Sequence, residues 1–163
     1  MPGKPLTIDE ILTRLREAPP RIAALTDGLE PAQLRLQPAP DEWSANDVLA
    51  HLRACADVWG GCIATIIAED RPTIRAIDPR TWVERTDYRQ LEFQPSLDAF
   101  ARQRDKLLAS LESLTDDGWP RAATMTGAGR PIERTVQSFA QRLARHERPH
   151  IRQIGKIAEA MRE

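Results

Sequence analysis

The chain has 163 residues, 41% hydrophobic and 29% charged, a composition that fits one globular domain over residues 1–163 with a core large enough to need no disulfide staples. Its 23 Lys and Arg nearly balance 24 Asp and Glu, a net charge of -1, so no broad attraction to nucleic acid or to an anionic membrane is expected. No apolar run approaches a bilayer span, and Met1-Pro2-Gly3-Lys4-Pro5 lacks the apolar core and cleavage site of a signal peptide.

The first helical pattern starts at Thr7, a good cap, and carries Ile8, Ile11, Leu12 and Leu15 at helical spacing. Pro19-Pro20 must interrupt it, yet Ile22, Leu25 and Leu29 continue the stripe. One bent helix, or two nearly coaxial ones, is expected to end near Gly28. Ser44-Ala45-Asn46-Asp47 resembles a capping box with Trp43 as a hydrophobic staple, opening a second helix. Val48, Leu49, Leu52, Ala56, Trp59, Ile63 and Ile66 give that helix a broad apolar face up to about Glu69.

Residues 70–95 form a long connection with Pro72, Pro79 and Pro95, where a short helix is expected near Trp82. Ser96 is the expected cap of a third helix with Leu97, Phe100, Leu107, Leu108, Leu111 and Leu114. Residues 115–134 contain Gly127, Gly129 and Pro131 and are compatible with a small hairpin. A fourth helix begins near Thr135 and holds Val136, Phe139, Leu143, Ile151, Ile154, Ile157 and Met161. Four amphipathic stripes that cannot be buried singly point to an all-α bundle with long connecting loops, and connections of that length are candidates for covering a pocket.

Cys55 and Cys62 lie two helical turns apart, about 10.5 Å, too far for a disulfide. With no export signal and no bridge, a reducing cytoplasmic setting is expected.

The chain has three histidines. His146 and His150 are four apart on the fourth helix, so their imidazoles project from one face and can reach a common ion. Both fall on the flank of the apolar stripe, and His51 lies at the edge of the stripe of the second helix. A lone histidine at a core edge is usually a packing residue; a spaced pair with a third facing inward favours a divalent metal site. Three imidazoles would leave coordination positions open, the pattern of a reactive site.

Residues 146–150 also satisfy the H-E-x-x-H pattern of zinc proteases, with Glu147 as the water-activating base. The expected third ligand is missing, since position 156 is Lys and only Glu159 and Glu163 follow, and the apolar strands of a protease cleft are absent. The protease reading is therefore rejected. Pro149 must free the carbonyl of Arg145, which is expected to face water on the side shared with Arg148 and Arg152.

Three further residues stand out. Glu147 falls inside the apolar stripe, so it either orients a ligand histidine, acts as a base, or pairs with an arginine on a neighbouring helix. Arg104 interrupts the third stripe; it could hold an anionic substrate group, but a long arginine more often snorkels out of a core. Cys55, four residues after His51, could offer a thiolate, although a small buried cysteine is more often packing.

The stretch Glu42-Trp43-Ser44 to Val48-Leu49-Ala50-His51-Leu52, with His146-Glu147, His150-Ile151 and Gln153-Ile154 near the C-terminus, resembles the paired signatures of the DinB-like superfamily. The order of elements matches over nearly the whole chain. The resemblance implies an up-down-down-up four-helix bundle holding one divalent ion through His51, His146 and His150; three imidazoles with solvent suit zinc, nickel, iron or manganese alike. Gln153 matches the motif one turn past His150, where it would line the pocket or join a hydrogen-bond network. By the same resemblance the activity would be that of a thiol S-transferase, isomerase or hydrolase-like enzyme acting on a small-molecule substrate with a low-molecular-weight thiol, and the chain would form a homodimer. The alternative is a non-catalytic, metal-stabilised bundle that binds a ligand or partner in a stress response.

Overall fold

The structure, a computed structural model, describes residues 3–163. Thr7 caps α1 (Ile8–Thr26) in a full capping box with Glu10, and the helix runs through Pro19 and Pro20 without a break. A short α2 (Pro31–Arg35) follows, unforeseen in the sequence. Ser44 and Asp47 make the expected reciprocal cap of α3 (Ala45–Ala68).

The long connection holds β1 (Thr73–Arg75) and α4 (Pro79–Val83), the short helix expected near Trp82. The third long helix, α5 (Phe93–Glu112), starts three residues before the expected Ser96 cap; Ser96 is buried inside it and accepts a hydrogen bond from Arg53 Nη1 at 2.9 Å. Residues β2 (Ala122–Thr126) and β3 (Ile132–Thr135) form the small hairpin, with Gly127 and Gly129 at φ 86° and 81° in its turn. Thr135 then caps α6 (Val136–Arg162), which passes through Pro149, exposed on the solvent face as expected.

The all-α expectation therefore needs correction: a three-stranded sheet closes one end of the bundle. Within it β1 pairs parallel with β2, Ile74 opposite Met125, and β2 pairs antiparallel with β3. The β1–β2 pairing joins residues 51 apart in sequence, Thr73 with Thr124, and no local pattern announces such contacts.

Helix directions follow from side-chain pairs. Leu6 N–H donates to Gln141 and Arg162 to the carbonyl of Leu25, so α1 and α6 run the same way. Arg53 meets Ser96 and Gln103 meets Asp57, so α3 and α5 also run together. Trp43 lies by His150 and Trp59 by His146, so α3 opposes α6.

The core has two apolar halves. One gathers Leu15, Ile63, Trp119, Phe139 and Leu143 near the sheet; the other gathers Ile22, Leu49, Phe100, Ile151 and Ile154. Each such side chain fully removed from water contributes about 1.5–3 kcal/mol. Trp82 Nε1, Tyr88 Oη and Gln103 Nε2 all donate to the Asp57 carboxylate, at 3.0, 2.5 and 2.6 Å, which fastens the long connection and α5 to α3. Among the described residues no helix is long and apolar enough to cross a membrane.

Candidate metal centre

Two pairs of side chains face each other where α3 meets α6. His51 and Cys55 are four residues apart on α3, His146 and His150 four apart on α6, and each pair projects from one helix face. The ring centroid of His51 stands 5.0 Å from that of His146 and 4.8 Å from that of His150, and the two α6 rings are 4.6 Å apart. The structure thus brings the three histidines together in one half-buried cluster.

Their donor atoms are not equally placed. His51 Nε2 and His146 Nε2 approach to 3.2 Å, and Cys55 Sγ lies 3.7 Å from the first and 4.0 Å from the second. One donor atom from each of these three residues falls within 4.8 Å of the others, and His150 stands outside that tight group. Its Nδ1 is instead 3.0 Å from Gln153 Oε1. An amide oxygen only accepts, so the contact fits the tautomer with the proton on Nδ1, which in a neutral ring leaves Nε2 as the donor atom for a metal. A ligand histidine is commonly held in this way by a partner on its other nitrogen.

The separations fit a metal ion. Two nitrogens about 2.05 Å from a shared tetrahedral ion lie about 3.3 Å apart, and a sulfur about 2.3 Å from it lies about 3.6 Å from each nitrogen. The observed 3.2, 3.7 and 4.0 Å are close to those values without any rearrangement of the helices. Protonation agrees: burial, then the neighbouring imidazoles and arginines, pushes His51 and His146 down to about 4. Both are therefore neutral at pH 7, the form that ligates. Burial, with Glu147 and Asp78 adding to it, pushes the Cys55 thiol up to about 12. A neighbouring cation is needed to hold it as thiolate.

Two tryptophans flank the rings, a role that the sequence did not reveal. Trp43 stacks on His150 at 6.3 Å between centroids and tilts against His51 at 5.2 Å, and it remains 36% exposed. Trp59 meets His146 edge to face at 5.0 Å and 89°, and the Arg142 guanidinium lies over the Trp59 ring, 5.1 Å from its centroid. The signal for Trp59 was available, since 51, 55 and 59 continue one four-residue row on α3. His146 Nδ1 is buried with no hydrogen-bond partner. On the His150 side an open cleft of about 740 Å³, lined by Glu42, Trp43, Gln153, Lys156 and Ile157 among others, reaches the cluster.

Arg104 does not snorkel. It is 2% exposed, donating from Nη1 to Glu147 Oε1 at 2.8 Å and to the Leu15 carbonyl at 3.0 Å, and from Nη2 to Glu147 Oε2. The reason is the facing carboxylate: a buried arginine is tolerated where its fork finds fixed acceptors. Of the roles considered for Glu147, the salt bridge to a neighbouring helix is the one formed, and both carboxylate oxygens face Arg104 instead of a histidine. Arg104 is correspondingly unavailable to hold a substrate anion.

A sequence profile described as the DinB superfamily matches residues 14–154. Over 127 residues the chain is 26% identical to a protein of Geobacillus thermodenitrificans (strain NG80-2) named as a candidate metal-dependent hydrolase, spanning 74% of this chain and 68% of that one. YfiT from Bacillus subtilis, described as a probable metal-dependent hydrolase with an unusual four-helix bundle topology, superposes with a TM-score of 0.79 at 21% identity, over 99% of this chain and 93% of its own. At that identity the likeness to YfiT concerns the fold.

Proposed function

The chain belongs to the DinB superfamily, and on that premise we propose that it is an enzyme in which His51, His146 and His150 hold one divalent ion beside a substrate cleft, and which activates a low-molecular-weight thiol for S-transfer or isomerisation. The observation that carries an enzymatic reading is the open cleft of about 740 Å³ reaching His150. A bundle using a metal only as a staple would be expected to close its histidines behind large side chains.

When bound, the ion supplies Lewis acidity, which lowers the pKa of a thiol or water beside it. The chain's own groups do the rest. His51 and His146 are neutral donors at pH 7, because burial holds them down to about 4. Gln153 orients the His150 ring through Nδ1. Trp43 offers a flat apolar face at the cleft for an electrophile, and Lys156 stands there as a cation for an acidic group on the thiol or product.

The name of the Geobacillus relative favours a second reading, in which water replaces the thiol as nucleophile and the reaction is hydrolysis. One experiment separates them. Metal-loaded protein is incubated with a halogenated aromatic, with and without a panel of low-molecular-weight thiols, beside His51→Ala. Thiol-dependent consumption lost in the variant supports S-transfer. Turnover of ester or amide substrates without thiol, also lost in the variant, supports hydrolysis. Stoichiometric metal with neither activity overturns the enzymatic reading and favours a metal-stabilised binding protein.

A further inference from the structure

We propose that Cys55 is a fourth ligand of the resting metal site, closing it on its buried side while the cleft at His150 serves as the route for exogenous groups. This rests on the three-histidine reading above and goes beyond it by completing the ligand set. The four donors are two facing helical pairs, His51 with Cys55 on α3 and His146 with His150 on α6.

Cys55 differs from an ordinary packing cysteine in where its sulfur points. It is 1% exposed, and its Sγ sits 3.7 and 4.0 Å from two imidazole nitrogens that are themselves 3.2 Å apart. Cys62, the other cysteine, supplies the contrast: it is buried in the apolar half of the core with Ile63 and Ile66. A sulfur serving only as hydrocarbon filler would pack among carbons, whereas this one lies within 4.0 Å of two imidazole nitrogens. Two further facts favour an anionic donor there. Three neutral imidazoles would leave the full charge of a divalent ion in a half-buried site, and one thiolate halves it. The nearest carboxylate on α6, Glu147, is already engaged by Arg104 and cannot supply that charge.

The ligand set has consequences. Three imidazoles and a thiolate suit zinc better than manganese, which prefers oxygen donors. A thiol or water arriving through the cleft then joins by expansion to five-coordination or by displacing Cys55.

Cobalt(II) substitution reads the sulfur directly. The wild-type protein, Cys55→Ala and Cys62→Ala are loaded with cobalt, and the visible ligand-field bands and the near-ultraviolet sulfur-to-cobalt charge-transfer band are recorded. The expected result is both signals in the wild type and in Cys62→Ala, with the charge-transfer band lost and the ligand-field bands weakened in Cys55→Ala. Ligand-field bands without charge transfer in the wild type, or a charge-transfer band that survives in Cys55→Ala, overturns the role of Cys55 and leaves the three-histidine site standing. No cobalt signal in the wild type sinks both. Should Cys55→Ala not fold, X-ray absorption on the wild-type zinc protein decides: a sulfur shell at about 2.3 Å supports the assignment, and nitrogen and oxygen neighbours alone reject it.

Discussion

Arg104 and Glu147 form a two-pronged ion pair at the waist of the bundle, where the two apolar halves of the core meet. Leu108 and Leu143 belong to the half near the sheet, and Phe100 and Ile151, on the other side of the pair, to the second half. The guanidinium also lies 4.9 Å over the Phe100 ring and donates to the Leu15 carbonyl, so that it ties α1, α5 and α6 together. His146 is the residue next to Glu147 on α6, so the pair fixes the turn of helix that carries a proposed ligand.

Breaking this pair on one side leaves the other charge buried alone. Glu147→Ala and Arg104→Ala should each cost about 3–5 kcal/mol in chemical denaturation, whereas the double replacement Arg104→Met/Glu147→Leu should be near neutral or more stable. A single variant within about 0.5 kcal/mol of wild type, the range of an ordinary surface change, would show that the pair is solvated.

The bond from His150 Nδ1 to Gln153 Oε1 should matter to metal affinity more than to stability. Gln153→Ala is expected to weaken metal binding about 10–100-fold in competition with a chromophoric chelator. Gln153→Glu keeps an acceptor at that place and should retain the affinity. Equal affinity in Gln153→Ala and wild type would remove Gln153 from the account.

Metal-free protein should lose stability on acidification in a window set by its imidazoles. His51 and His146 have folded values near 4, below the ordinary 6.5, so between these limits the unfolded chain binds more protons than the folded one. Stability from this source is complete above about pH 6.5, falls as pH drops toward 4, and changes no further below that. Thermal melts of chelator-treated protein across the window check it, with His51→Ala/His146→Ala as reference. The reference should show the shallower dependence; equal slopes would mean that the imidazoles titrate normally.

What could be read in the sequence was mostly local chemistry. The caps at Thr7, Ser44 and Thr135 each satisfy an N–H three residues on, so their signatures lie within one turn. Ser96 misled because Pro95 looked like the end of a loop. In the structure Pro95 sits in the first turn of α5, where its missing N–H has no partner to lose. The histidine cluster was legible because His146 and His150 share one face of α6 and His51 lies at the edge of the α3 stripe. Arg104 and Glu147 each looked anomalous alone, and only the packing of α5 against α6 explains both. Trp43 has the sequence position of a staple, and nothing local to it announces a ring about a hundred residues away as its neighbour.

The unequal placement of the histidines predicts an unequal response to their loss. His146 Nε2 stands 3.2 Å from His51 Nε2 and beside Cys55, whereas His150 lies outside that group and carries its own partner in Gln153. Elemental analysis of untagged protein should find near-stoichiometric metal in the wild type and none in His146→Ala/His150→Ala. Of the single variants, His146→Ala should come close to the double, because its loss removes the nitrogen paired with His51. His150→Ala should retain metal at reduced affinity, since His51, Cys55 and His146 persist as a three-donor group. Equal loss in both single variants would mean that His150 swings fully into the site when the ion binds, and that the open cleft beside it narrows on loading.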